Sequence, residues 1–404
     1  MSNQRKSILI LGSTGSIGVN TLDVIRRHPD RFEVRGLVAG KNIDLLKVQC
    51  EQFKPRYVVI CDEMALNQWN NQGYSEQLST ESGCRPEVYS QASLPDLTSE
   101  PGLDCVMAAI VGSAGLAPSL SALKAGKTVY LANKESLVLG GRFMLDACKQ
   151  ARAQLLPVDS EHNAIYQCLP HSFTAGDHEN HGIHRLVLTA SGGPFRSKPI
   201  EEMEHITPEQ AVAHPNWDMG KKISVDSATM ANKGLELIEA FWLFGLPAEQ
   251  LSVVIHPQSI VHSMVEYTDS SVIAQMGCPD MRTPIAHVLG FPDRIESGSP
   301  RLDLAHLSQL TFENPDYRRF PMLKLAFEVL TNVAVAAPIY NAANEVAVDA
   351  FLGNKLGFLD IYRTVMECLD TFSSEYINHL DDAFDLDARV RHHAQQLISR
   401  AYAR

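Results

Sequence analysis

Hydrophobic and polar positions along this chain follow strand-like runs and helical stripes in turn. Residues 7–11 are a short apolar run, a glycine-rich turn follows, and Val19, Leu22 and Ile25 then recur at helical spacing until His28-Pro29 breaks the pattern. Strand, turn and helix are predicted in that order. Further strands are predicted at 32–39, 57–60, 104–112 and 128–131, with helix-like spacing after residue 43 and over 118–125. Apolar runs separated by helices predict a buried, doubly wound parallel sheet. Between them, a polar stretch up to residue 100, rich in Ser, Gln and Glu, reads as surface connections.

The pattern changes after that sheet. Spacing predicts a helix at 143–155, a strand at 185–189, and a helix carrying Leu235, Ile238, Phe241 and Trp242 on one side. Residues 251–255 read as a strand, and 259–267 with 271–276 as a hairpin about Thr268-Asp269-Ser270, with an apolar face suited to dimer contact. Residues 297–316 are polar and Pro-containing, as in a linker. Amphipathic spacing over 322–330, 341–351, 361–372 and 387–402 predicts a small C-terminal helical bundle. The expected fold is α/β: an N-terminal parallel sheet over 1–158, an α+β catalytic domain over 159–296, the linker, and a helical domain over 317–404.

Composition narrows the function classes. A length of 404 residues predicts two or three domains, and 45 % hydrophobic with 20 % charged residues is the composition of a soluble globular chain. A net charge of -12 argues against a general nucleic-acid or anionic-membrane binder, while leaving room for a local basic pocket. Eight cysteines without a C-x-x-C pair offer neither a zinc signature nor a disulfide framework, which points to the reducing cytoplasm. With an apolar strand predicted from residue 7, no signal or transit peptide is expected, and no apolar run is expected to reach membrane-spanning length.

Candidate chemistry begins at Gly12-Ser13-Thr14-Gly15-Ser16-Ile17-Gly18. Between strand and helix, these glycines permit a tight turn and close approach to a pyrophosphate resting on the helix N-terminus; a turn without a ligand has the same signature. Gly40-Lys41-Asn42 places a lysine where an NAD site carries an acid, which predicts NADP. Ala132-Asn133-Lys134-Glu135 lies past the strand at 128–131, where open parallel sheets bind ligands, with a capping role as the alternative.

Asp159-Ser160-Glu161 follows the apolar stretch Leu156-Pro157-Val158. Two carboxylates two residues apart on an extended backbone project to one side and can chelate a hard divalent cation, although an isolated pair is more often a solvated strand end. Glu236 is the third carboxylate expected to complete an open site. Asn232 and Glu236 lie one helical turn apart, while Ser227, Asn232 and Lys233 can converge on a phosphate. Ser191-Gly192-Gly193 after a strand offers N–H groups and a hydroxyl to an anion, and also fits an ordinary turn. Residues from about 195 to 222 lack periodicity, are broken by Pro199, Pro208 and Pro215, and hold His214, Trp217 and Met219, which predicts a mobile lid over substrate. His256 and His262 read as satisfied structural histidines, and Glu345 as a solvated or capping group.

These motifs, taken with Val158-Asp159-Ser160-Glu161-His162, His214-Pro215-Asn216-Trp217 and Asp226 through Glu236, resemble those of the 1-deoxy-D-xylulose 5-phosphate reductoisomerase family over essentially the whole chain. The resemblance implies a Rossmann-like N-terminal domain and an NADP-dependent oxidoreductase. Such an enzyme isomerises and reduces 1-deoxy-D-xylulose 5-phosphate to 2-C-methyl-D-erythritol 4-phosphate in non-mevalonate isoprenoid biosynthesis. It implies one Mg²⁺ or Mn²⁺ per subunit on Asp159, Glu161 and Glu236. Substrate contacts are implied for Lys134, Ser160, Glu161, Ser191, His214, Trp217, Ser227, Asn232, Lys233 and Glu236. NADPH contacts are implied for Thr14, Gly15, Ser16, Ile17, Gly40, Lys41, Asn42, Asn133, Glu135 and Gly220. Lys134, Glu161 and His214 are the expected catalytic residues, and a cytoplasmic homodimer is the expected assembly. Two other classes stay open: a metal-independent NADPH reductase of another phosphorylated substrate, and a non-enzymatic NADP-sensing module.

Overall fold

The computed structural model describes residues 5–213, 220–307 and 309–402. Contacts divide the chain into two compact units, one of Met1–Ser136, Phe143–Asn163 and Asp280–Pro300, the other of Leu137–Arg142, Ala164–Pro279 and Arg301–Arg404.

The first unit is built on seven parallel strands: β1 (Lys6–Leu11), β2 (Phe32–Ala39), β3 (Tyr57–Ile60), β4 (Glu87–Ser90), β5 (Cys105–Ala108), β6 (Thr128–Leu131) and β7 (Leu155–Pro157). Their spatial order is β4-β3-β2-β1-β5-β6-β7. The central strands are apolar on both faces because helices cover both faces; Ile8, Leu9, Ile10 and Leu11 are wholly buried. Winding reverses between β1 and β5, which opens a crevice at the carboxyl ends of those two strands.

Local chemistry explains where the observed elements exceed the predicted ones. The polar stretch before residue 100 contains the helices Glu63–Asn71, Tyr74–Ser82 and Leu94–Ser99, and β4. Its apolar anchors are too sparse to show a period: in Glu63–Asn71 only Ala65 and Trp69 are buried, and the Asp62 side chain caps the helix by accepting from Ala65 N–H. The helix predicted at 143–155 is Lys134–Ala151 and takes up the stretch just after β6. Gly140 is non-helical in its middle (φ -123°, ψ 20°), and that kink interrupts the apolar stripe.

Segment 280–300 packs with the nucleotide-type sheet rather than with the expected catalytic domain. Its helix Arg282–Gly290 lies against Ser16–Arg27, where Arg282 pairs with Asp280 at 2.6 Å and Asp23 at 3.2 Å. The expected boundary at 296 and the linker over 297–316 are therefore both divided between the units, a tertiary effect without a local signal.

The second unit holds β8 (Ile183–Ala190), β9 (Leu251–Ile255), β10 (Val261–Tyr267) and β11 (Val272–Met276) in the order β11-β10-β8-β9. The predicted β10–β11 hairpin is present and antiparallel, and leaves Val272, Ile273 and Met276 exposed on the edge. Residues 195–222 contain more structure than a lid loop predicts: a 3-10 turn Ile200–His205, a helix Pro208–Ala211 with a Thr207/Gln210 capping box, and the start of the helix Lys221–Thr229. Pro199 and Pro208, which break periodicity, serve as helix starts. His214, Trp217 and Met219 lie outside the described residues.

Pro321–Val329, Val333–Leu352, Phe358–Thr371 and Leu380–Tyr402 form the predicted C-terminal helices, but within the second unit rather than as a separate domain. Against expectation, Pro321–Leu352 is long and apolar enough by composition to cross a membrane, with a mean hydropathy of 1.5. Its window is 61 % buried in the protein, and Asn341 and Asn344 sit inside it, as in the core helix of a bundle.

Candidate active site

At the crevice of the first unit, Gly12 adopts φ +81°, and a Cβ there would stand 2.5 Å from the Ala109 carbonyl. A Cβ on Gly18 would collide with the Gly12 carbonyl and the Ser13 backbone. Both glycines are thus required by the close approach of turn, helix and neighbouring strand. Gly15 caps the Ser16–Arg27 helix without a side-chain bond, so the first helical N–H groups face outward beside Thr14, Ser16 and Ile17. Gln49 holds this turn by donating to the Ser13 carbonyl at 2.8 Å.

Gly40, Lys41 and Asn42 follow β2 on the surface. Asn42 caps Ile43–Phe53, accepting from Leu45 N–H, and the Lys41 side chain is 81 % exposed with its ammonium 3.9 Å from Asp62. Asn133 has the capping role left open above. Its Oδ1 accepts from Ser136 N–H at 2.8 Å, and its Nδ2 donates to the Ile110 and Gly112 carbonyls, which ties the loop after β5 to the helix after β6. Glu135 occupies the first turn of that helix and is buried.

Lys134, the first residue of the same helix, meets Asp159 beyond β7 at 2.8 Å. The expected strand geometry of the two carboxylates is not what the structure shows. Pro157 ends β7, and the helix Ser160–Cys168 begins one residue after Asp159. Asp159 Oδ1 accepts from Glu161 N–H at 3.4 Å, Ser160 Oγ donates to Glu161 at 2.6 Å, and Asn163 Nδ2 donates back to the Pro157 carbonyl at 2.9 Å. A helix start gathers the acids, and its unpaired N–H groups favour their negative charge.

Burial pushes the Asp159 carboxyl up, but the Lys134 ammonium and His162, with Nδ1 at 3.4 Å, outweigh it and hold the group well below the usual carboxylate range. Asp159 is therefore an anion at neutral pH. His162 is fully buried, and its part was missed because the i, i+3 relation to Asp159 exists only on a helix.

In the second unit, Ser191-Gly192-Gly193 follows β8. Gly192 and Gly193 adopt φ +83° and +66°, and a Cβ on Gly193 would lie 2.7 Å from the Ser227 carbonyl. The glycine turn thus abuts Lys221–Thr229 at Ser227. Gly220 is the N-cap of that helix. Met230, at φ +63°, breaks the chain between it and Ala231–Phe244, which places Asn232 and Lys233 in a first turn and Glu236 one turn on. Both Asn232 and Lys233 donate to the Glu236 carboxylate, and Lys233 and Glu236 are only 4 % and 2 % exposed. His256 is a structural histidine: Nδ1 meets the Thr311 carbonyl at 2.9 Å and Nε2 accepts from Ile260 N–H.

The family model of 1-deoxy-D-xylulose 5-phosphate reductoisomerase matches residues 8–141, its C-terminal domain model matches 155–244, and the DXP reductoisomerase C-terminal domain matches 276–393. The 1-deoxy-D-xylulose 5-phosphate reductoisomerase of Laribacter hongkongensis is 52 % identical over 387 residues, 96 % of this chain and 97 % of that one. A crystal structure of DOX-P reductoisomerase in complex with NADPH, fosmidomycin and magnesium has a TM-score of 0.92 at 44 % identity, covering 98 % of each chain. The Zymomonas mobilis enzyme in complex with NADPH has a TM-score of 0.88 at 45 % identity, covering 98 % of this chain and 99 % of that one. With family models spanning both units and a relative more than half identical over nearly its whole length, the chain belongs to the 1-deoxy-D-xylulose 5-phosphate reductoisomerase family.

Proposed function

We propose that this chain converts 1-deoxy-D-xylulose 5-phosphate to 2-C-methyl-D-erythritol 4-phosphate by isomerisation and NADPH-dependent reduction with a divalent cation. The observation that carries this reading is the near-full-length likeness to reductoisomerases solved with NADPH and magnesium. Residues 1–158 are assigned to NADPH, the part of 159–296 before Asp280 to metal and substrate, and 317–404 to the helical support, with 280–300 grouped on the nucleotide side.

The donor set fits a hard cation, since Asp159, Glu161 and Glu236 offer only oxygen and Asp159 is held ionised. When bound, the cation supplies Lewis acidity at the ketone and adjacent hydroxyl, and NADPH supplies a hydride. Lys134 and Glu161 stand for proton movement at the substrate oxygens, supported by the buried position of the lysine. Ser191, Ser227, Asn232 and Lys233 hold the phosphate, with Ser160, His214 and Trp217 as further substrate contacts. The last two are assigned from the aperiodic segment 195–222 and the family likeness. Thr14, Gly15, Ser16, Ile17, Gly40, Lys41, Asn42, Asn133, Glu135 and Gly220 are assigned to NADPH.

The test is NADPH oxidation with this substrate, with and without a chelator. Loss of turnover on chelation and its return with Mg²⁺ or Mn²⁺ is expected. Chelator-insensitive turnover would favour a metal-independent reductase, and no turnover with either ion would favour a sensing module. The exposed Lys41 ammonium is assigned to the ribose 2′-phosphate. Lys41→Glu is expected to weaken NADPH binding by about ten-fold, the scale of one exposed charge contact reversed, with NADH affinity little changed. An equal loss for both nucleotides in titration would remove that assignment.

Assembly as a homodimer is supported by the apolar residues left exposed on β11, an edge strand able to pair with a second copy. A monomer mass in sedimentation equilibrium would refute it. A cytoplasmic location is supported by eight free cysteines, and secretion of the full-length chain from its native host would refute it.

A further inference from the structure

Asp226 immediately precedes Ser227, yet it is buried to 1 % exposure while Ser227 is half-buried. Its carboxylate accepts from Asn344 Nδ2 at 2.8 Å and from Lys222 Nζ at 2.9 Å. Lys222 is also 3.8 Å from Glu345, which in turn receives Arg391, and Arg391 pairs with Asp387 at 2.6 Å. Glu345 is thus neither solvated nor a cap: it links three helices, Lys221–Thr229, Val333–Leu352 and Leu380–Tyr402.

The same face of Val333–Leu352 reaches the second phosphate-type helix. Tyr340, one turn before Asn344, is fully buried, and a Cβ on Gly234 would stand 2.7 Å from its hydroxyl. One helix therefore supports both elements that carry Ser227, Asn232 and Lys233. Stability alone does not explain the polar choice. Buried ion pairs replaced by apolar residues of similar volume often leave stability unchanged or raised, and Asn344 Oδ1 is buried without a hydrogen-bond partner among the described residues. Direction does explain it. Successive helical residues are rotated by about 100°, so a fixed inward hold on Asp226 fixes where Ser227 points.

We propose that Asn344, backed by Glu345 and Arg391, is a positioning residue that clamps Asp226 and so sets the rotation of the Lys221–Thr229 helix presenting Ser227 to the substrate phosphate. This inference rests on the function proposed above. Asn344→Asp sets two carboxylates against each other and is expected to raise KM for 1-deoxy-D-xylulose 5-phosphate by about ten-fold, with kcat within about three-fold. NADPH affinity, read by fluorescence titration, stays unchanged. The exchange D226N/N344D restores an amide–carboxylate hydrogen bond and is expected to return KM to within about three-fold of the wild type.

Glu345→Gln keeps the test informative if Asn344→Asp does not fold. It weakens the link to Lys222 and Arg391 and is expected to raise KM by about three-fold with kcat retained. A lowered Tm with unchanged KM in the folded variants, or an exchange no better than Asn344→Asp, would overturn the positioning role. Failure of the wild type to turn over the substrate would instead remove the proposed function itself.

Discussion

Asp159→Asn is expected to lower turnover by about 10³-fold or more, the scale of losing a charged group that acts on the reacting oxygens. The substitution keeps shape and removes charge, and two consequences follow. One ligand of the proposed cation is lost, so the dissociation constant of Mn²⁺, read by calorimetry, is expected to rise about 10- to 100-fold. The Lys134 ammonium, 8 % exposed and 2.8 Å from the vanished charge, is left without that counter-ion. Losing one side of this largely buried pair is expected to lower stability. Turnover within ten-fold of the wild type, with metal affinity intact, would remove Asp159 from the site.

The sign of the pH effect tests whether Asp159 is held ionised by Lys134 and His162. The Asp159 carboxyl is held well below its usual range, so its contribution to stability is present above the unfolded carboxylate value and is lost as pH falls through the lower folded value. Wild-type stability should therefore decline on the acid side, while Asp159→Asn should be the flatter of the two there. Comparing thermal melts of both proteins from about pH 5 down to about pH 2 reads the difference, with roughly 2–4 °C expected per kcal/mol in domains of this size.

How legible these residues were depended on the range of the interaction that places them. Gly12 and Gly18 were readable because part of each demand is local, a positive φ at Gly12 and contact of Gly18 with the Gly12–Ser13 turn, although Gly12 also lies against Ala109 far along the chain. The parallel sheet was readable because both faces of its strands are apolar. Asp159 and Glu161 were found for a partly mistaken reason. The sequence expectation was an extended chelate, whereas Pro157 stops the strand and a new helix begins in the motif itself. His162 and Asn163 were lost with that error, since their contacts with Asp159 and the Pro157 carbonyl need helical spacing. Asn344, Arg391 and the placement of 280–300 had no local signal. Each depends on a partner distant in sequence, and Asn344 lies inside a stripe that reads as plain core.

The second large effect is expected at Gly193. An alanine there must hold φ near +66° and place its Cβ 2.7 Å from the Ser227 carbonyl, a backbone atom that cannot rotate away. The left-handed conformation costs about 1–2 kcal/mol, and overpacking adds about 1–3 kcal/mol. Relief requires the Ser191 turn and the Ser227 helix to separate, and these two serines share the proposed phosphate. Gly193→Ala is therefore expected to raise KM for substrate by about 100-fold, near 2.7 kcal/mol, with a smaller loss in kcat. Gly192→Ala provides the comparison. It carries a similar positive φ of +83°, but its Cβ would meet the Arg196 side chain first, at 2.7 Å, and that flexible arm can swing aside. A KM effect about ten-fold smaller follows if contact with Ser227, rather than backbone strain alone, governs the phosphate site. Equal KM values for the two variants would show that strain accounts for both, and the apposition of Ser191 with Ser227 would lose its role in binding.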